Sequence, residues 1–451
     1  MTSLLDRPVP HRAADLTLRR GAVRVLLDNW TGHSTVPSRT LYPHQWSWDS
    51  AFIAIGLRHL SVRRAQQELE TLLSAQWTDG RIPHIVFNSA VPDDAYFPSP
   101  DFWRSSTCGR TSGAPAAPET SGIVQPPVHA LAAWLVHHTD PEESRRRAFL
   151  NRVLPRLTAW HDYLLDHRDL GGGGLAAVIH PWEPGMDNSP CWDQALQRVV
   201  PAAADAFRRA DLDHGHPADR PTDLDYGRYV RLVADYRNTG YDDRSGRHTF
   251  AVEDPSFNAL LIAGEHALAA MAEETGADPA PHTARAEKLT DHLVTRLWDD
   301  DAGTFRVRDL TTDTLVDEHS VTGLIPLLAP RLPRHIVNRL AQTLGSPRFT
   351  APATRLVPSY DLTGHAFNAQ RYWRGPAWFN TAWLIHRGLR THGLHHSAER
   401  LRQGFLGEAE HSGFAEYIDP TTGAARGARN FSWTAALALD LLSADLKEPT
   451  P

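Results

Sequence analysis

Lysine is almost missing from this chain: only Lys288 and Lys447 occur, and nearly all of the positive charge is arginine. The formal net charge is -7, which offers no basic face to nucleic acid. Cysteine is equally scarce. Cys108 and Cys191 alone cannot build a disulfide framework, and they fit a reducing compartment. No run of about 18 apolar residues exists, so no helix is expected to cross a membrane. The opening MTSLLDRPVPHRAADLTLRR lacks the continuous apolar core of a secretory signal. Together these absences point to a cytoplasmic protein without nucleic-acid or membrane partners. Nucleotide and serine-hydrolase signatures are absent too, with no GxGxxG after a strand, no phosphate-binding GxxxxGKS or GxxxxGKT, and no GxSxG. The 25 histidines are scattered, and neither HPW at 180 nor HAFN at 365 has a metal-ligand spacing such as HExxH. DDDAG (299–303) and YDDRSG (241–246) lack the rest of a calcium loop and read as turns. No cofactor is expected, and the sequence neither requires nor excludes a bound metal.

What the chain does have is helical periodicity and tryptophan. Apolar residues at i, i+3 and i+4 predict helices over 19–30, 49–60, 62–76, 124–138, 145–167, 255–276, 282–300, 333–345, 375–393, 397–413 and 431–446. A further helix is expected over 188–209, giving about eleven to thirteen in all. Strand-like pieces are few, GTFRVRDL (303–310) being one. Short connections, as at Leu60–Ser61, alternate with long ones rich in Trp, Pro, Gly and His: 31–48, 77–121, 168–190, 209–224, 350–374 and 413–430. Loops of such length in a compact domain generally carry function. The pattern suits a ring of helical hairpins whose long loops gather at one end. No linker divides the chain, and the GGGG at 171–174 is a hinge at most. The expectation is one all-α, helical-barrel domain over 1–451, with loop insertions at about 77–121 and 168–190.

Four stretches stand out: YPHQWSWDSAF (42–52), HPWEPGMDNSPCWD (180–193), RYWRGPAWFN (371–380) and GFAEYIDPTTGA (413–424). Asp49 and Asp187 are placed at or near helix N-termini, where capping is the ordinary reason for an Asp. Capping does not account for Trp46, Trp48, Trp182, Trp373 and Trp378 close by. An aromatic face beside carboxylates and amides suits a sugar, which stacks its C–H face and needs directional partners for its hydroxyls. Glycoside hydrolysis also needs two carboxyl groups about the anomeric carbon. A Pro- and Gly-bounded loop would hold one of them rigidly, and neighbouring tryptophan would raise its pKa by desolvation.

These stretches, with the QW..G.IPH pattern at 76–84 and DPSFNALL, resemble glycoside hydrolase family 63, and most of all its bacterial branch acting on mannosylglycerate and glucosylglycerate. The resemblance covers about residues 13 to 445. It implies an (α/α)6 barrel and an inverting mechanism. Asp187 would be the general acid and Glu416 the general base; Glu183 and Asp193 compete for the first role, Asp419 and Glu408 for the second. Asp49 would hold the sugar with Tyr42, Trp46, Trp48, Gln125, Trp182, Gly185, Trp373 and Trp378. DRPTDLDYGRY (219–229) resembles the family's glycerate-contacting segment. There Arg220 would pair with the carboxylate, helped by Tyr226, Tyr96 and Tyr372; a surface ion pair of Arg220 with Asp223 or Asp225 is the alternative. The segment 88–118 could close over the site. The expected activity is hydrolysis of glucosylglycerate, a small-molecule glycoside. Mannosylglycerate or another α-glucoside is the alternative, and a sugar isomerase or epimerase, or a non-catalytic sugar binder, the reading from another class. A homo-oligomer is compatible with the sequence.

Overall fold

Some of the predicted helices are apolar all round and others along one stripe, and this difference sorts them into two layers. SWDSAFIAIGL buries all eleven of its residues, and FNTAWLIHRGLRT is buried from Phe379 to Leu389. RHIVNRLAQTL buries only Ile336, Val337 and Leu340. A helix apolar on every side needs neighbours on every side, whereas a striped one faces solvent.

The computed structural model describes residues 10–213, 217–244 and 248–443. Among these, twelve helices have eleven residues or more: α1 Pro10–Asp28, α2 Ser47–Leu57, α3 Val62–Ser74, α4 His129–Thr139, α5 Phe149–His167, α6 Asp223–Asn238, α7 Pro255–Thr275, α8 Ala280–Leu297, α9 Arg334–Leu344, α10 Phe379–Thr391, α11 His395–His411 and α12 Ser432–Ser443. Packing runs α2 to α4, α4 to α7, α7 to the 3-10 turn Ile325–Leu328, that turn to α10, α10 to α12, and α12 back to α2. Six elements thus close an inner ring. The outer helices α3, α5, α8 and α11 pack against it, each next in sequence to an inner partner, α1 packs on α12, and α9 takes the remaining outer place in the alternation. This is the (α/α)6 barrel. α6 belongs to neither ring and lies in the long excursion between α5 and α7.

Strands are two residues long and serve the loops. Gln45–Trp46 pairs with Ile85–Val86, and Tyr417–Ile418 lies between Ala377–Trp378 and Ala425–Arg426, all antiparallel. GTFRVRDL is not one strand: Thr304–Phe305 pairs with Trp298–Asp299 around the DDDAG turn, while Arg308–Asp309 joins Val252–Glu253 and Thr314–Leu315.

Several expectations are corrected. The helix predicted from 124 starts at His129, because Pro126 and Pro127 cannot be carried inside it. The segment 145–167 is broken at Ala148, whose φ of 50° separates Pro141–Arg146 from α5. No helix covers 188–209; Pro190–Trp192 is a 3-10 turn, Asp193–Leu196 one helical turn, and Pro201 follows in extended chain. α6 was not anticipated, although Thr222 caps it by accepting the Asp225 N–H at 3.2 Å. The glycine run at 171–174 passes close to α8. A Cβ on Gly173 would lie 2.3 Å from the Arg296 guanidinium carbon, and one on Gly174 would lie 1.9 Å from His292 Nδ1. Gly174, at φ 78°, also holds a backbone conformation that favours glycine.

Candidate active site

From His180 to Trp192 every residue is buried except Asp187, which is half-buried. The loop is anchored from beneath. Glu183 receives both ends of the Arg168 guanidinium at 2.8 Å, together with the Ile179 N–H at 2.7 Å. Arg168 also pairs with Asp243 at 2.9 Å, so the acidic turn at 241–244 serves an internal network. His180 accepts the Trp182 N–H on Nδ1 and donates from Nε2 to the Tyr229 carbonyl, and burial pushes its pKa down to about 3, so the ring is neutral. Tyr229 donates to the Asp187 carbonyl at 2.8 Å, and Trp192 Nε1 to the Met186 carbonyl at 2.7 Å. Gly185, at φ 71°, sits where any Cβ would meet the Trp48 ring at 2.5 Å. The Asp187 carboxyl alone is left facing open space. Burial pushes it up to about 7, against the opposing pull of Arg220.

Glu416 is held differently. The residue before the strand Tyr417–Ile418, it exchanges backbone and side-chain bonds with Ala428, whose N–H donates to Oε2 at 2.9 Å. Oε1 accepts the hydroxyls of Tyr372 at 2.7 Å and Tyr42 at 3.2 Å. Gly427 lets the chain pass, since a Cβ there would lie 2.4 Å from Oε2. Burial raises Glu416 above the usual range, while Arg220 and these donors oppose the rise.

Asp49 lies in the first turn of α2. The residue before that helix is Trp46, which cannot cap it, so Gln125 reaches across and accepts the Trp48 N–H at 3.1 Å. Burial, then the nearness of Glu416 and Asp187, raises Asp49 well above the usual carboxylate range.

These three carboxyls open into one cavity of about 460 Å³, lined by Tyr42, Trp46, Trp48, Tyr96, Gln125, Trp182, Gly185 and Tyr372. His84, Phe431 and Trp433 also line it and were not anticipated. Trp433 had a visible signal, because SWTAAL opens α12 as SWDSAF opens α2. A second cavity of about 440 Å³ adjoins the first and shares Tyr42, Tyr96, Trp182, Asp187 and Tyr372 with it. Arg220 and Tyr226 line this one, together with Asp211, which had no signal in the sequence. Two larger grooves lie on the outside against α11, but neither gathers carboxyl groups.

Arg220 makes no ion pair with its sequence neighbours. Asp223 pairs with Arg209 and Asp225 with Arg228. Arg220 is buried instead, donating to the Tyr42 hydroxyl at 3.2 Å with its guanidinium 4.8 Å from the centre of the Tyr372 ring. Trp373 and Trp378 are placed away from both cavities. They stack on each other at 3.8 Å and pack edge-on behind Tyr372. The competing carboxylates are engaged elsewhere. Glu183 is the loop anchor, Asp193 forms a two-point pair with Arg374, Asp419 closes the turn at Thr421–Thr422, and Glu408 lines an outer groove. The segment 88–118 folds into short helical turns seated on α6, with Tyr226 donating to the Phe97 carbonyl at 3.1 Å and Arg237 to that of Phe102 at 2.6 Å. Among the described residues no group of three His, Cys, Asp or Glu could hold a metal, and no helix is long and apolar enough to cross a membrane.

Residues 42–434 match the family described as the mannosylglycerate hydrolase MGH1-like glycoside hydrolase domain. The chain is 40% identical over 444 residues to a mannosylglycerate hydrolase of Rubrobacter radiotolerans, covering 97% of this chain and 99% of the relative. It is 39% identical over 435 residues to a glucosylglycerate hydrolase of Mycolicibacterium hassiacum, covering 93% and 96%. The crystal structure of a family 63 mannosylglycerate hydrolase from Thermus thermophilus, in complex with Tris and D-glycerate, superposes with a TM-score of 0.86 at 38% identity, covering 94% of this chain and 99% of the other.

Proposed function

The chain belongs to glycoside hydrolase family 63, in the branch with the mannosylglycerate hydrolases, and from that premise we propose that it is an inverting α-glycosidase splitting glucosylglycerate into glucose and glycerate. One observation carries the reading. Asp187 lines both cavities, whereas Glu416 and Asp49 line only the first. A general acid must touch the oxygen that joins sugar to leaving group, so it belongs on the boundary between their compartments. The base must reach a water near the anomeric carbon, so it belongs with the sugar.

The sugar then occupies the first cavity, among Trp46, Trp48 and Trp182, with the Asp49 carboxyl hydrogen-bonding a hydroxyl and Gln125 fixed beside it. Carboxyls so close oppose one another's ionisation, in keeping with the raised Asp49. Asp187, raised to about 7, carries a proton for the glycosidic oxygen near neutral pH. Glu416, whose carboxylate accepts three hydrogen bonds, withdraws a proton from the attacking water in the same step. Glycerate occupies the second cavity, its carboxylate on Arg220 and its hydroxyls near Tyr226 and Tyr96. The Thermus relative is described with D-glycerate bound, which supports this placement. Trp373 and Trp378 act by supporting Tyr372.

Mannosylglycerate is the second reading, favoured by the names of the Rubrobacter and Thermus relatives. Proton NMR of the protein with each compound in parallel separates the two. Glucosylglycerate should yield glycerate with β-glucose appearing first. Release of β-mannose from mannosylglycerate alone would replace the glycone, and α-sugar as the first product would overturn inversion. We further infer a single catalytic domain that works in the cytoplasm.

A further inference from the structure

Arg220 is the one cation lining either cavity among the described residues. It touches no carboxylate directly; it touches the two tyrosines that do. Its Nη1 donates to the Tyr42 hydroxyl at 3.2 Å, and its guanidinium lies over the Tyr372 ring at 4.8 Å. Both hydroxyls converge on Glu416 Oε1, and they lie 3.1 Å from each other. The Tyr372 N–H is fixed by the Asp219 carbonyl at 2.7 Å, next to Arg220 in the chain. One positive charge is thus wired through two phenols to the proposed base. It also faces the proposed acid across the shared wall of the cavities.

We propose that Arg220, Tyr42 and Tyr372 form a relay through which the charge of the leaving group sets the protonation of Asp187 and Glu416, so that a negatively charged aglycone is selected in turnover as well as in binding. The inference rests on Arg220 being the carboxylate's partner. With the second cavity empty, the unpaired guanidinium favours ionised carboxyls around it. A bound carboxylate neutralises that charge and competes for the guanidinium N–H groups that polarise Tyr42. Asp187 then holds its proton more tightly, charged with the proton it must deliver only when the correct leaving group is present, while Glu416 keeps its three hydrogen-bond donors and stays the ionised partner. The other titratable groups around this pair are Asp49, His84, Tyr96, Asp211, Tyr226, Tyr229 and Tyr417, and burial pushes His84 down to about 3, so that its ring is neutral. None of them is positive, so none can substitute for Arg220.

The test is calorimetric titration of the whole protein with D-glycerate, with glycerol as the uncharged counterpart, in buffers of different ionisation enthalpy between about pH 6 and 8. A nearby opposite charge, as Arg220 is to Asp187, moves a carboxyl by about one unit or more. Loss of its effect on a group titrating near 7 takes up about 0.4 proton per glycerate at pH 7. Glycerol should bind, if at all, without proton uptake. Asp187→Asn should remove most of the uptake while glycerate still binds. Tyr42→Phe and Tyr372→Phe should each reduce it. Glycerate binding that is weakened at least tenfold in Arg220→Met, yet proton-neutral in the unsubstituted protein, would overturn the relay and leave the carboxylate partner standing. Equal affinity in Arg220→Met, or no binding of glycerate at all, would instead remove the reading on which the relay rests.

Discussion

Arg168 and Glu183 meet as a two-point ion pair, both contacts at 2.8 Å and neither side chain exposed to solvent. The pair lies under the loop that carries Asp187, four residues further on. Removing one partner of a buried pair leaves an uncompensated charge, at a cost of about 3–5 kcal/mol. Glu183→Leu and Arg168→Met should each lower stability by that order, measured by denaturant unfolding. The double variant should lose less than the sum of the two. Glu183→Gln should also lower kcat more than it raises KM, because the acid loses its fixed position before the sugar loses its contacts. Unchanged kcat in Glu183→Gln would show that the loop holds its shape without this anchor.

Asp187→Asn and Glu416→Gln change one atom each and keep the volume of the side chain. Each should lower kcat by roughly 100-fold to 10,000-fold, the usual worth of general acid–base catalysis, with near-native melting temperatures and sugar binding retained. Asp193→Asn and Asp419→Asn should keep most of the activity. Full activity in either of the first two variants would move the catalytic role to another carboxyl.

The pH dependence follows from the direction of the shifts. Activity needs Asp187 protonated and Glu416 ionised. kcat/KM should therefore fall as pH rises through about 7, where Asp187 loses its proton in the free protein. On the acid side it should fall as Glu416 takes up a proton, above the ordinary range for a glutamate. Stability has its own sign. A carboxyl whose folded pKa is raised binds more protons in the native state, so its ionisation destabilises the fold as pH climbs from about 4 towards 7. Asp187→Asn should consequently be more stable than the unsubstituted protein at pH 8, by at most about 4 kcal/mol, and the gap should close near pH 4. A gap that does not vary with pH would mean that Asp187 is not desolvated as its surroundings suggest.

How much of this was legible in the chain depends on which kind of order each feature uses. The barrel was legible, because helices such as SWDSAFIAIGL and RHIVNRLAQTL announce inner and outer places through their apolar pattern alone. The fourth inner element was not. Ile325–Leu328 is a single 3-10 turn containing Pro326, too short for any period to show. α6 was hidden by Gly227 and by the prolines before it, although Thr222 supplied an ordinary cap. Asp187 and Glu416 stood out because Pro, Gly and Trp crowd around them. Asp211 did not, since ADLDHG resembles any polar loop and gains its place only when 203–213 folds over Tyr226.

The tryptophans show the same limit, and they give a last prediction. Composition marks Trp46, Trp48, Trp182, Trp373 and Trp378 alike, but three line the first cavity and two stand behind its wall. Which side of Tyr372 a ring occupies is a tertiary fact. Trp182→Ala removes a face the sugar would touch, and should raise KM or weaken sugar binding at modest cost in stability. Trp373→Ala deletes a ring stacked at 3.8 Å on Trp378, with only 1% of the residue exposed. It should cost about 3–5 kcal/mol of stability. Its effect on activity should come through Tyr372, whose hydroxyl holds Glu416, so kcat should fall while KM changes little. A large rise in KM with unchanged stability would place Trp373 on the sugar after all.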